Sequence, residues 1–65
     1  MEAVESTAQQ IISCLKNNSG SLNAVQVQEA TGLALGVVLA TLVSLEYDEK
    51  IVLTDSVPVN YYNFR

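Results

Sequence analysis

The chain has 65 residues, of which 49% are hydrophobic and 15% are charged, and its formal net charge is −4. This length allows one domain, over residues 1–65, and the composition excludes a disordered chain. A lone cysteine, Cys14, and a sequence without histidine exclude an internal disulfide and leave no metal-ligand spacing, so we expect neither a metal nor a cofactor. The acidic balance argues against non-specific binding to nucleic-acid backbones or anionic membranes.

The N-terminal residues 1–5 are acidic and lack the basic and apolar regions of a secretory signal. The longest nearly uncharged stretch, Leu33–Leu45, is shorter than the roughly 18 residues that indicate a membrane span. We therefore expect a soluble intracellular protein, cytoplasmic or nuclear, in which Cys14 is reduced.

Helical spacing of apolar residues predicts a first helix over Val4–Lys16, with apolar positions at Val4, Ala8, Ile11, Ile12 and Leu15. Asn17–Gly20 ends this helix, because Asn and Gly tolerate the left-handed conformation of a C-cap. Cys14 lies beside the apolar stripe, which indicates a small, half-buried core residue and not an activated thiol.

Ser21–Asn23 is interpreted as a short extended link whose last residue is a good N-cap for a second helix, Ala24–Thr31. Val27 and Ala30 are predicted to face the core. Gly32 then supplies the positive φ angle of a tight turn between helices.

A third helix is predicted over Leu35–Tyr47, followed by β-strands over Lys50–Thr54 and Asn60–Arg65. Residues 55–59 join the strands into a hairpin, with Pro58 outside the hydrogen-bonded ladder. All three helices contribute to the predicted core, which comprises Ile11, Ile12, Leu15, Val27, Val38, Leu42 and Leu45.

The predicted fold class is α+β, a three-helix bundle with a C-terminal two-stranded β-hairpin. The run Leu22–Leu33, followed by apolar Val38, Leu42, Leu45 and Ile51, resembles the helix-turn-helix core of winged-helix domains. The sequence departs from that pattern at Glu49, where such domains usually carry Gly, so a different cap is expected at the end of the third helix.

One face of the third helix is the main candidate site. The resemblance implies that this helix would enter the major groove in a DNA-binding relative, where Arg, Lys, Asn or Gln read base edges and phosphates. No charged residue occurs over Leu33–Leu45. An exposed apolar face is typical of protein interfaces, and small residues on it let a partner helix approach closely. We predict binding of protein, either a second copy or a partner helix, through Leu35, Gly36, Leu39, Ala40, Val43 and Tyr47. In the alternative interpretation, some of these residues belong to the core.

The hairpin is the alternative site, for duplex DNA, RNA or a Z-form nucleic acid. Single-strand binders stack bases on aromatic rings beside cationic groups. Tyr61 and Phe64 are assigned to one face of the last strand and Tyr62 to the other, although these rings also suit a small sheet packed on the first helix. The residues of this alternative are Lys50, Pro58, Tyr61, Tyr62 and Arg65, and gathering of Lys16, Lys50 and Arg65 on one surface would favour it.

Several winged-helix families look similar. The Z-form nucleic-acid binders resemble the chain in length and in the hairpin with its proline and aromatic residues, but carry Asn, Arg and Tyr where this sequence has Leu39, Ala40 and Val43. The C-terminal domain of the DNA-processing A family is similar through Ala30–Leu33 and Val38–Ala40. The N-terminal domain of the phenylalanyl-tRNA synthetase alpha subunit, which would imply tRNA contact, is similar in pattern. Acidic peptide-binding winged helices, such as the C-terminal module of the replication protein A middle subunit, fit the charge best.

The carboxylates Glu46, Asp48 and Glu49 cluster near the end of the third helix. Paired carboxylates serve acid–base chemistry or metal binding. Here they are interpreted as a solvated helix end beside Lys50. With no nucleophile–base pairing and no glycine-rich phosphate loop, the sequence predicts neither an enzyme nor a small-molecule substrate.

Overall fold

The computed structural model of the chain describes residues 6–18 and 20–65. This part folds into three helices and three strands, a small α+β arrangement, as predicted at the level of fold class. The elements in chain order are α1 (Thr7–Lys16), β1 (Leu22–Asn23), α2 (Ala24–Thr31), α3 (Leu35–Tyr47), β2 (Ile51–Asp55) and β3 (Tyr61–Phe64). The predicted first helix, Val4–Lys16, is wrong at Ser6, which has an extended backbone and is the N-cap of α1, its side chain accepting a hydrogen bond from the Gln9 N–H. The predicted start at Val4 lies outside the described residues.

The sheet has three antiparallel strands in the order β1-β3-β2, one more than the predicted hairpin. β1 is the segment interpreted as an extended link, and it pairs Leu22 with Tyr62. β2 pairs Leu53 with the same Tyr62 from the other side, and the register shifts between Leu53 and Asp55. The first strand therefore ties the α1–α2 connection to the hairpin.

The core lies between the three helices and one face of the sheet. Its buried residues are Ile11, Leu15, Val27, Val38, Leu42, Leu45, Ile51 and Tyr62. Six of the seven residues predicted to be buried are confirmed, whereas Ile12 is only half-buried against the cluster.

Ala30, predicted to face the core, is exposed, and that prediction is wrong. The packed face of α2 centres on Val27, which is flanked by half-buried Ala24, Gln28 and Thr31. Thr31 tolerates partial burial because its hydroxyl donates a hydrogen bond to the Val27 carbonyl, at 2.8 Å. The helix is thus rotated away from the orientation that places Ala30 inward.

The α2 helix begins and ends as predicted. The Asn23 side chain accepts from the Gln26 N–H, and the Gln26 side chain accepts from the Asn23 N–H, which makes a capping box. At the other end Gly32 has a φ of 76° and donates its N–H to the Gln28 carbonyl. The chain then bends by 116° between α2 and α3.

The end of α3 uses the geometry that glycine normally provides. Glu49 has a φ of 62°, its N–H donates to the Glu46 carbonyl, and the Lys50 N–H donates to the Leu45 carbonyl. These two bonds are the Schellman pattern. The expectation of a different cap is therefore wrong, because a glutamate adopts the left-handed conformation instead.

Candidate functional site

The predicted face of α3 is exposed along its whole length. Its four large side chains become more exposed toward the end of the helix, at 36% for Leu35, 49% for Leu39, 62% for Val43 and 87% for Tyr47. We call these four residues the α3 ridge, because a spacing of four residues aligns them in one row on the helix surface.

The composition of α3 explains why the ridge stays outside. Val38, Leu42 and Leu45 are its buried residues, and they pack in the hydrophobic core. Around the helix axis the ridge starts close to the core side, with Leu35 about 20° from Leu42, and turns away from it, with Tyr47 about 140° from Leu42. The alternative interpretation, in which part of this face belongs to the core, does not hold for any ridge residue.

A row of small residues runs beside the ridge and consists of Gly36, Ala40 and Ser44, all exposed. Apart from its two chain neighbours and the backbone of its own helix, a Cβ atom at Gly36 would meet no atom within 4 Å. This row therefore leaves a shallow channel on the surface of the helix, into which side chains of another helix can fit.

The first half of the ridge borders a cleft that sequence reasoning did not reveal. We call it the α3 cleft; its volume is about 330 Å³, and it lies between α2, α3 and the hairpin. Val25 and Val59 contribute to it and are 49% and 50% exposed. The lining residues are Asn23, Ala24, Val25, Leu35, Leu39, Val59, Asn60 and Tyr62.

One of the three aromatic residues named for the alternative, base-stacking site is buried. Tyr62 is only 4% exposed and belongs to the core, so its ring is not available to stack on a base. Its hydroxyl accepts a hydrogen bond from Asn60 at 3.3 Å. Tyr61 is half-buried near Pro58, at the tip of the hairpin.

The predicted facing of Phe64 is also wrong. Its ring lies beneath the Lys16 ammonium of α1, with 5.6 Å between Nζ and the ring centroid. Phe64 is therefore on the helix side of the sheet with Tyr62, as the two-residue alternation of a strand requires.

All three cations of the chain lie around Phe64. Lys16 covers the ring, while Lys50 and Arg65 line a depression of about 410 Å³ that also contains Phe64 and Glu49. Arg65 donates its backbone N–H to the Lys50 carbonyl. The cations are thus gathered on one surface, with a carboxylate among them. The residues predicted for the alternative site are split, because Pro58 and Tyr61 line a separate depression at the hairpin tip.

Cys14 is half-buried beside the core, as predicted. Burial raises the pKa of its thiol. The reactive thiolate is therefore disfavoured at neutral pH.

Within residues 6–18 and 20–65, no group of three or more His, Cys, Asp or Glu side chains is placed to hold a metal ion. In the same part of the chain no single helix has the length and apolarity to cross a membrane, and only the bent pair α2 and α3 meets these criteria together. No protein-family model matches the chain, and no curated protein or solved structure matches it significantly.

Proposed function

We propose that this chain is a non-enzymatic interaction module that binds an apolar helix of a protein partner through the α3 ridge and the α3 cleft. One observation carries the proposal: four large apolar side chains form one continuous exposed row beside a cleft. The stretch Leu33–Leu45 contains no charge that a partner would have to neutralise. An exposed apolar patch of this type is characteristic of a protein interface.

Covering this apolar surface would release a gross free energy of the same order as the cost of association. If about 400 Å² of apolar surface is covered on each partner, the gross gain is about 10 kcal/mol per side at 25 cal/mol per Å². Loss of translational and rotational freedom costs roughly 4–15 kcal/mol. The affinity therefore depends on how well the partner fits the ridge and not on the covered area alone.

We also propose that the fold is a winged helix. The 116° bend between α2 and α3, across a short turn that contains Gly32, is within the range of helix-turn-helix units. The pairing of β1 with the hairpin supports the same assignment. In this proposal, the helix that reads bases in DNA-binding relatives holds a protein instead.

The proposal is tested by Leu39→Glu, with Val37→Glu as the matched control. The two residues lie on the same helix and have similar exposure, 49% and 43%, but Val37 points about 160° away from Leu39 around the axis. Both variants should stay folded by circular dichroism, because each change is at an exposed position. Only Leu39→Glu should lose self-association in sedimentation, or partner capture in a pull-down from cells that express the chain.

Two results would contradict the proposal. Unfolding of Leu39→Glu alone would mean that the Leu39 side chain stabilises the core. Equal binding by the wild type and both variants would mean that the partner binds elsewhere.

A second candidate function is nucleic-acid binding through the cation cluster, which the gathering of Lys16, Lys50 and Arg65 around Phe64 favours. Three cations can neutralise only a few phosphates, so the salt dependence has an upper limit. The slope of log K against log salt should not be steeper than about −2.7 on duplex DNA. Titration of duplex and single-stranded DNA and RNA at several salt concentrations checks this. Binding that Lys50→Gln weakens and Leu39→Glu does not would support this function over the first.

A further inference from the structure

We infer that the occupant of the α3 ridge is a second copy of the chain, in a symmetric antiparallel pair in which Tyr47 of each copy enters the α3 cleft of the other. This inference depends on the proposed function, since it names the partner of the same surface. It follows from how a pocket and a protruding ring are arranged along one helix.

The residues of the ridge can pair with the same residues of a second, antiparallel ridge. Its members are equally spaced, so reversing the helix about position 41 exchanges Leu35 with Tyr47 and Leu39 with Val43. In a two-fold interface, residue i contacts residue j and residue j contacts residue i. In an antiparallel pair the Leu35–Tyr47 contact and the Leu39–Val43 contact therefore each occur twice, and both copies use the same surface.

One end of the ridge has a cleft and the other end has a protruding ring, so each end of one copy can fit the opposite end of the other copy. The cleft opens beside Leu35 and Leu39 at the start of α3, while Tyr47 protrudes with 87% of its surface exposed at the end. These ends are about 18 Å apart along the helix. In an antiparallel pair, each Tyr47 lies over the partner's cleft at the same distance from the two-fold axis.

The cleft suits a tyrosine. Its volume is about 330 Å³, and it is lined mainly by aliphatic side chains, including Val25 and Val59. A buried tyrosine hydroxyl normally needs a hydrogen-bond partner. Asn60 lies at the cleft and uses its amide nitrogen to donate to Tyr62, which leaves its side-chain carbonyl to accept from the entering hydroxyl.

The surface around the ridge permits close approach. The row Gly36, Ala40 and Ser44 provides a channel for the ridge of the other copy, and the space at Gly36 is open in the isolated chain. When rows of this spacing on two helices interdigitate, the helix axes cross at about −50°. An interface of standard size covers about 800 Å² on each partner. That is roughly a fifth of the 4218 Å² surface of this chain.

Charge does not oppose the pairing, although each copy has a net charge of −4. The stretch Leu33–Leu45 is uncharged, so no like charges meet at the centre. At the margin, Glu46 of one copy lies near the start of the other copy's α3. The N-cap of that helix, Ala34, has no side chain that can accept a hydrogen bond, and the free N–H groups of the first turn favour a neighbouring carboxylate.

Sedimentation equilibrium of the full chain tests the inference. The wild type should sediment at twice the mass of one chain, and Val37→Glu should do the same. Tyr47→Ala should weaken dimerisation by about 30-fold or more, because it removes an aromatic ring buried in the cleft twice in each dimer. Because Tyr47 is almost fully exposed, this variant should keep its fold even if Leu39→Glu does not.

Cross-linking tests the orientation. In a Cys14→Ser background, Leu35→Cys and Tyr47→Cys proteins are prepared separately and joined with a short thiol-to-thiol reagent. The mixture should form 35–47 dimers in large excess over either protein alone. Cross-links of 35 to 35 and 47 to 47 in each separate protein would show a parallel pair and overturn the inference.

A monomeric wild type at millimolar concentration would also overturn it. If another protein were then captured in a Leu39-dependent way, the proposed function would stand without the second copy. If no protein bound the chain in a Leu39-dependent way, both the inferred dimer and the proposed function would be wrong.

Discussion

The end of α3 allows a stability prediction in which two adjacent acidic residues act oppositely. Glu49 has a φ of 62°, in the left-handed region, whereas Asp48 has a φ of −81° and is the C-cap. A side chain in the left-handed conformation costs roughly 1–2 kcal/mol, while glycine adopts it freely. Glu49→Gly therefore removes strain, but it also gives the unfolded chain more conformational freedom, worth about 0.5–1 kcal/mol.

The net expectation is that Glu49→Gly stabilises the fold by about 0.5–1 kcal/mol. Asp48→Gly should destabilise it by about 0.5 kcal/mol, because the same entropy cost applies without any relief of strain. Both variants remove one carboxylate from the same helix end, so their electrostatic effects are similar. The difference between them isolates the backbone contribution.

Thermal unfolding followed by circular dichroism measures this difference. A change of 1 kcal/mol shifts the midpoint by about 4–8 °C in a domain of this size. Glu49→Gly should melt several degrees above the wild type, and Asp48→Gly below it. If Glu49→Gly melted no higher than Asp48→Gly, Glu49 would not carry the left-handed strain described here.

Two further predictions concern the core. Leu42 is 1% exposed, so Leu42→Ala should lower the free energy of unfolding by about 2–5 kcal/mol and leave a large fraction of the molecules unfolded. Urea denaturation measures this change. A denaturation midpoint equal to that of the wild type would show that the register of α3 is wrong. Burial raises the pKa of the Cys14 thiol, so Cys14 should be alkylated more slowly in the folded chain than in the urea-unfolded chain at pH 7–8. Equal alkylation rates would refute the assignment of Cys14 to the margin of the core.

Local signals predicted the helices well. The bounds of α2 and α3 match the predicted ones, because Asn23 and Gly32 act within a few residues of the helix ends they define. The core side of α3 was likewise predicted from the spacing of Val38, Leu42 and Leu45, which one helical repeat determines.

Features that depend on distant pairings could not be predicted in this way. β1 has two residues, too few to show alternation, and it is a strand only because β3 lies beside it. Ala30 and Glu49 were misjudged because the rotation of a short helix and a strained cap depend on tertiary packing. The facing of Phe64 was an error of strand periodicity.

The α3 cleft and the cation cluster could not be predicted either, because both depend on contacts between distant segments of the chain. Val25 and Val59 meet across the cleft only when α2 packs beside the hairpin, and no local pattern joins them. Lys16, Lys50 and Arg65 converge on Phe64 from three separate segments. The ridge itself was predictable, since all its members lie on one helix.

Side-chain footprinting of the isolated chain and of its assembled form tests the central claim most directly, because the α3 ridge must be open in one state and covered in the other. Carbene labelling of a dilute and a concentrated or partner-bound sample, read residue by residue by mass spectrometry, provides this comparison. We expect labelling of Leu39, Val43 and Tyr47 to fall on assembly while labelling of Val52, which is exposed on β2, stays unchanged. Equal labelling of the ridge in both states, with protection at Phe64 instead, would contradict the account.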